Sequence, residues 1–172
     1  SDQTIVEALQ LFEDAEADTS QLREDAIERA RFSRLSEQWD EADRKAREAE
    51  RKPCITVNKL QATIRQIVNS ARQSRPSIQI SPIDGGADEN TAEVISALIR
   101  HIERTSNADA AYDTALEHAV TFGFGFFHVY SEYEHAKTFD IGARIGRISD
   151  PLCVYWDPAT TAVDASDWNF AF

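Results

Sequence analysis

Methionine is absent from all 172 residues, position 1 included, so residue 1 does not read as a natural start and the chain is expected to be a fragment of a longer one. Trp168-Asn169-Phe170-Ala171-Phe172 agrees, because it reads as an apolar strand that begins and then stops without a terminating signal. Cysteine is nearly as scarce. Cys54 and Cys153 are the two present, and their spacing fits neither a CxxC nor a Cys/His pattern, so both read as reduced packing residues rather than as a disulfide framework or a zinc site. No apolar run approaches the ~20 residues needed to cross a bilayer. The opening SDQTIVEALQ lacks the basic and apolar regions of a signal peptide, which makes a cytosolic origin the default. Basic charge is also short, 18 residues against 30 acidic ones for a formal net charge of -12. The field of the whole chain therefore repels phosphates and anionic lipid, and contact with DNA would need a local basic region.

What is present is enough to fold. With 42% hydrophobic content over 172 residues, one or two compact units are expected. Thr4 and Glu7 in capping-box spacing, with Ile5, Leu9 and Phe12, predict a first helix ending near Ala17. A longer helix is predicted from 18–20 to Pro53, with Phe32, Leu35, Trp39, Ala42, Ala46 and Ala49 alternating three and four apart as a coiled-coil-like seam. Pro53 drives residue 52 out of the helical region and opens a short extended stretch from Cys54 to Val57. Asn58 restarts a helix whose apolar face carries Leu60, Ile64, Ile67, Val68 and Ala71, ended by Arg75-Pro76. Ser77 to Ser81 alternates as a strand. After a loop at 84–88, Asn90 and Glu93 supply a capping box for a helix carrying Ile95, Leu98, Ile99 and Ile102. The next helix starts near 106–109, buries Tyr112, Ala115, Leu116 and Ala119, and stops at Gly123, where a left-handed cap favours a residue without a Cβ.

Beyond Gly123 the hydrophobic period falls from about 3.6 to 2. Residues 124–133 form a predicted strand, joined through 134–138 to a second that carries Phe139, Ile141, Ala143 and Ile145, with Gly142 and Gly146 marking a bulge or bend. Asp150-Pro151 and Asp157-Pro158 turn the chain on either side of Cys153-Val154-Tyr155-Trp156. The fold class so read is α+β, a mostly helical N-terminal part packed on a small antiparallel sheet. Residues 1–52 make an N-terminal helical segment and 53–172 an α+β region cut short at its C-terminal end.

Few patterns in the chain carry chemistry. GFGFF at 123–127 looks like a phosphate loop, but such loops run from strand into helix and this one runs from helix into strand, so its phenylalanines read as core anchors. Glu132, Glu134 and Asp140 are raw material for a metal-dependent hydrolase or nuclease, with a solvated hairpin end as the plainer reading. His101, His118, His128 and His135 show no ligand spacing, and the serines no nucleophile elbow. Asp157, Asp164 and Asp167 lack the spacing and the glycine of a calcium loop. No catalytic, cofactor-binding or metal-binding residue is assigned, and the chain is not expected to be an enzyme.

Charge is the better lead. Residues 51–83 hold six basic residues and no acidic one, between segments carrying seven basic against 15 acidic (1–50) and five against 15 (84–172). Three readings are open: neutralisation within the subunit, complementarity between identical neighbours in a closed ring, or a small DNA-contacting patch. Lys59, Arg65, Arg72 and Arg75, with Trp39 from the seam, are the candidates for a subunit interface. A helical adaptor that binds a foreign helix along the Phe32–Ala49 seam is the remaining alternative.

The order of short segments adds a resemblance along nearly the whole chain. It runs from a Trp-containing helix ending Arg51-Lys52-Pro53, through Ile55-Thr56-Val57-Asn58 and Arg72-Gln73-Ser74-Arg75-Pro76-Ser77-Ile78, to Thr91-Ala92-Glu93-Val94-Ile95. It continues with Ser106-Asn107-Ala108-Asp109-Ala110-Ala111-Tyr112-Asp113, Ala119-Val120-Thr121-Phe122-Gly123-Phe124-Gly125, Asp150-Pro151, Val154-Tyr155-Trp156-Asp157-Pro158 and Asp164-Ala165-Ser166-Asp167. In this order the chain resembles the N-terminal wing region of portal proteins from short-tailed bacteriophages. The resemblance implies a structural subunit of a homo-oligomeric ring, twelve-fold in that family, within the virion and assembled in the host cytoplasm. It further implies DNA passing through the ring, terminase, tail or adaptor and capsid or scaffolding proteins as partners, and no cofactor or membrane. The terminase-docking and DNA-lining parts of that family lie outside these residues, so no residue of either role is carried over.

Overall fold

The computed structural model describes residues 2–34, 38–75, 77–82, 88–162 and 165–172. Among them are five helices and one two-stranded antiparallel sheet, an α+β fold. They form two compact units. The first comprises Ser1–Thr63, Thr121–Gly123 and Asp150–Phe172, the second Ile64–Val120 and Phe124–Ser149.

In the first unit, α1 (Asp2–Ser33) runs without a break through the expected boundary near Ala17. The hydroxyls that suggested a cap there turn back onto their own helix: Thr19 Oγ1 donates to the Ala15 carbonyl (2.6 Å) and Ser20 Oγ to the Ala17 carbonyl (2.8 Å), which satisfies them without ending the ladder. The buried stripe of α1 is Ala15, Thr19, Arg23, Ala26, Ala30 and Ser33, spaced three and four apart but half polar. Arg23 explains how a charge enters that stripe. Its guanidinium donates to Thr19 Oγ1 and to the Leu152 and Val154 carbonyls, and it lies 3.8 Å over the Tyr155 ring. Phe12 stacks on Tyr155 and Phe172 at 4.5 and 5.8 Å.

The predicted seam is interrupted. Helix α1 ends at Ser33 and α2 begins at Glu41. The freed carbonyls of Phe32 and Ser33 accept amide protons from Gln38 (3.0 Å) and Asn58 (2.7 Å), so side chains replace the missing helical donors. Phe32 is exposed, and Leu35 lies outside the described residues. Helix α2 (Glu41–Ala49) buries nothing and is held by Lys45–Glu41 and Arg44–Glu48 pairs one turn apart. It closes with Arg51 at a φ of 57° and a Lys52 N–H bond to the Arg47 carbonyl (2.8 Å), a left-handed cap built without glycine. Near the end of the chain, Tyr155 and Phe172 exchange backbone hydrogen bonds of 2.9 and 2.7 Å beside a single Trp156–Ala171 bridge. That pairing keeps only a trace of the apolar strand expected there.

Helix α3 (Leu60–Gln73) starts as expected, with Asn58 Oδ1 accepting from the Gln61 N–H at 3.0 Å. In the second unit it buries Ile64 and Val68. Residues 77–81 pair with no strand among the described residues. The Ile80 N–H bonds instead to Ser96 Oγ on α4 (Glu89–Thr105) at 3.3 Å. The cap of α4 is Asp88 rather than Asn90, accepting from the Asn90 N–H and the Thr91 hydroxyl. The predicted loop at 84–88 otherwise lies outside the described residues. Helix α5 (Ala108–Phe122) stops at Gly123, whose φ is +100°. Gly125 then passes so close to α5 that an added Cβ would lie 1.9 Å from the Ala115 carbonyl oxygen.

Strands β1 (Phe127–Tyr133) and β2 (Ile141–Arg147) pair in unbroken register from Phe127↔Arg147 to Tyr133↔Ile141. Gly142 and Gly146 therefore make no bulge. Gly146 leaves room for the stacked His128 and Tyr130 rings (4.7 Å) on the neighbouring strand. Helix α4 packs against β2, whereas β1 is exposed along its whole length. Both thiols are free; Cys54 is half-buried, but Cys153 is exposed and not the packing residue expected.

Candidate subunit interface

The basic segment places its arginines on two different duties. Arg72 Nε lies 2.9 Å from Asp113 Oδ2, and Arg75 bridges Asp109 and Asp113, which sit one turn apart on α5. Asp113 and Arg75 are only about a quarter exposed (22% and 28% of their side chains), so screening by water is partial and the pair ties the end of α3 to α5. Beside it lies a cleft of about 630 Å³ walled by Ala71, Ile78, Tyr112, Leu116 and Phe127. The Tyr112 hydroxyl donates to Glu103 at 3.2 Å, and its ring meets Phe127 edge-on at 5.1 Å. Burial, reinforced by the Glu103 carboxylate, raises the Tyr112 pKa, because both disfavour the phenolate. The acidic partners were hidden in the sequence, where Asp109 and Asp113 read as two more charges of an acidic helix. Their four-residue spacing was the available signal.

Lys59 and Arg65 do something else. Both are exposed, with no ion-pair partner among the described residues. Trp39 is half-buried; its indole N–H donates to Thr56 Oγ1 at 3.1 Å, and the Arg47 guanidinium lies 4.9 Å from the ring centroid. The five candidates thus separate into two exposed cations, two arginines engaged with α5, and an indole fastened within its own unit.

Glu132, Glu134 and Asp140 gather at the turn end of the hairpin, all exposed. Asp140 accepts from Thr138 Oγ1 at 2.7 Å, the Glu134 N–H donates to the Asp140 carbonyl at 3.0 Å, and Glu132 lies 3.9 Å from Arg144 Nε. Among the described residues no group of three His, Cys, Asp or Glu side chains is arranged to hold a metal. Asp157 and Asp167 spend their lone pairs on the chain itself. Asp157 accepts from the N–H of Ala159 and from Asn169, and Asp167 from the Thr160 hydroxyl and the N–H groups of Thr161 and Ala162. These bonds, with the Ala159 N–H foremost for Asp157 and the Thr160 hydroxyl for Asp167, hold both carboxyls below the usual carboxylate range by favouring the charged form.

Polar groups paired with one another, exposed cations beside them and a half-covered hairpin are the features of an assembly module. The comparisons give that class its family. A model of the phage P22-like portal protein family matches residues 9–172, and the chain belongs to that family. It is also similar to the portal protein of Acyrthosiphon pisum secondary endosymbiont phage 1, with 29% identity over 170 residues, covering 94% of this chain and 24% of that relative. The chain thus spans about a quarter of the length of the curated relative it matches. No helix among the described residues is long and apolar enough to cross a membrane.

Proposed function

We propose that this chain supplies wing structure and subunit contacts to a phage portal, a homo-oligomeric ring of about twelve copies. DNA enters and leaves the capsid through that ring, which acts as a structural component of the virion and not as an enzyme. The family match over residues 9–172 carries the reading. Terminase, tail or adaptor and capsid or scaffolding proteins are its expected partners through the full-length protein, with assembly in the host cytoplasm.

Surface area supports it. The accessible surface is 12894 Å² for 19.3 kDa. Even two free-standing compact domains of half that mass would together expose only about 10,200 Å². The surplus, roughly 2,700 Å² on the same scaling, exceeds the two faces of about 800 Å² each that a ring member presents to its neighbours. Exposed Lys59 and Arg65 fit contacts with an acidic neighbour, while Arg72 and Arg75 support the subunit that makes them. Electron microscopy of the full-length protein tests the proposal: rings with a central channel are expected, and a field of single subunits at micromolar concentration would defeat it.

A further inference from the structure

Two apolar surfaces in the second unit face solvent, and their charges are opposite. One is the outer half of the hairpin. Val129, Tyr133 and Ile141 share one face by the β1–β2 register, with Phe139 just ahead of β2. Val129 is 64% and Phe139 94% exposed, although an isolated two-stranded hairpin needs a partner layer to be stable. Its turn end carries Glu132, Glu134 and Asp140 against the single Lys137. The other surface is the outer side of α4, where Val94 (66%) and Leu98 (55%) are exposed one turn apart. The next turns of that side carry Arg100 and Arg104, both exposed and without an ion-pair partner among the described residues.

We propose that the hairpin of one copy docks on the outer side of α4 of the next copy, apolar face to apolar stripe, with the acidic turn beside Arg100 and Arg104. This rests on the portal reading. Different patches meet, so the contact is heterologous, the kind that repeats around a ring instead of stopping at a dimer. A sheet face and a helix stripe are natural packing layers, and opposite charges at the rim fix register and orientation. The surplus surface leaves area for both patches on every copy.

Charge exchange in the full-length protein tests it. Glu132→Lys with Glu134→Lys reverses the hairpin in one variant; Arg100→Glu with Arg104→Glu reverses the helix in another. Each alone is expected to raise the concentration needed for ring assembly at least tenfold, with an unchanged subunit melting temperature. Mixing the two variants should restore closed oligomers containing both, since each hairpin then finds a complementary helix on the other chain. Rings that form normally from both single variants would overturn the docking and leave the portal reading intact. Restoration only when all four substitutions share one chain would also overturn it, by placing the contact within a subunit. Failure of the unaltered protein to form rings would instead remove the portal reading and this docking together.

Discussion

A methyl group at residue 125 would sit 1.9 Å from the Ala115 carbonyl oxygen and 2.9 Å from the Ala119 nitrogen, both backbone atoms of one helix. Neither can move without displacing α5, so Gly125→Ala is expected to cost at least about 2 kcal/mol in urea unfolding, at the heavier end of overpacking. Gly142→Ala is the control. Its new Cβ would meet only the far ends of Arg144 and Glu134 at 3.2 Å, so a loss under about 1 kcal/mol is expected. Asp167 gives a pH prediction at the same scale. Its folded pKa is lowered, chiefly by the Thr160 hydroxyl, so its contribution is complete above the ordinary value near 3.9 and is lost as pH falls through the folded one. The melting temperature should therefore drop below about pH 4 in the unaltered protein, and less steeply in Asp167→Asn, which has no charge to lose. Equal slopes would contradict the role given to that carboxylate.

Helices show where sequence reading reached and where it stopped. Asn58 at the start of α3 and Gly123 at the end of α5 were legible because a cap is a local event, settled by one side chain or one φ angle. The end of α1 was not, since Ser33 and Phe32 are capped by Asn58 and Gln38, whose positions depend on tertiary structure. The buried stripe of α1 was equally hidden, because Arg23 and Thr19 satisfy each other inside it. For the candidate interface, the basic segment was visible as composition, but only packing separates its internal from its exposed cations. That separation is testable. Asp113→Ala removes the acceptor shared by Arg72 and Arg75 and should lower stability by about 1–3 kcal/mol, the range for hydrogen bonds to charged groups. Arg65→Glu should leave the melting temperature within about 1 °C, as exposed substitutions do, while weakening assembly. Matching losses of stability from the two variants would place Arg65 inside the subunit network after all.

For the whole molecule, the governing fact is how little of its apolar surface is covered. Alanine makes up most of the buried apolar set, whereas Ile5, Val6, Leu9, Val94, Leu98, Val129 and Phe139 remain outside. A monomeric domain seldom leaves so many large side chains to solvent, and such patches mark interaction sites. In the portal reading they are covered by neighbouring copies and by the rest of the full-length protein, which also accounts for the acidic net charge of a piece that need not hold DNA itself.

The most direct measurement is the native mass of the full-length protein. The ring account predicts one dominant species at an integer multiple of the subunit mass, near twelve, that persists on dilution into the nanomolar range. A species at one subunit mass across the same range would contradict it.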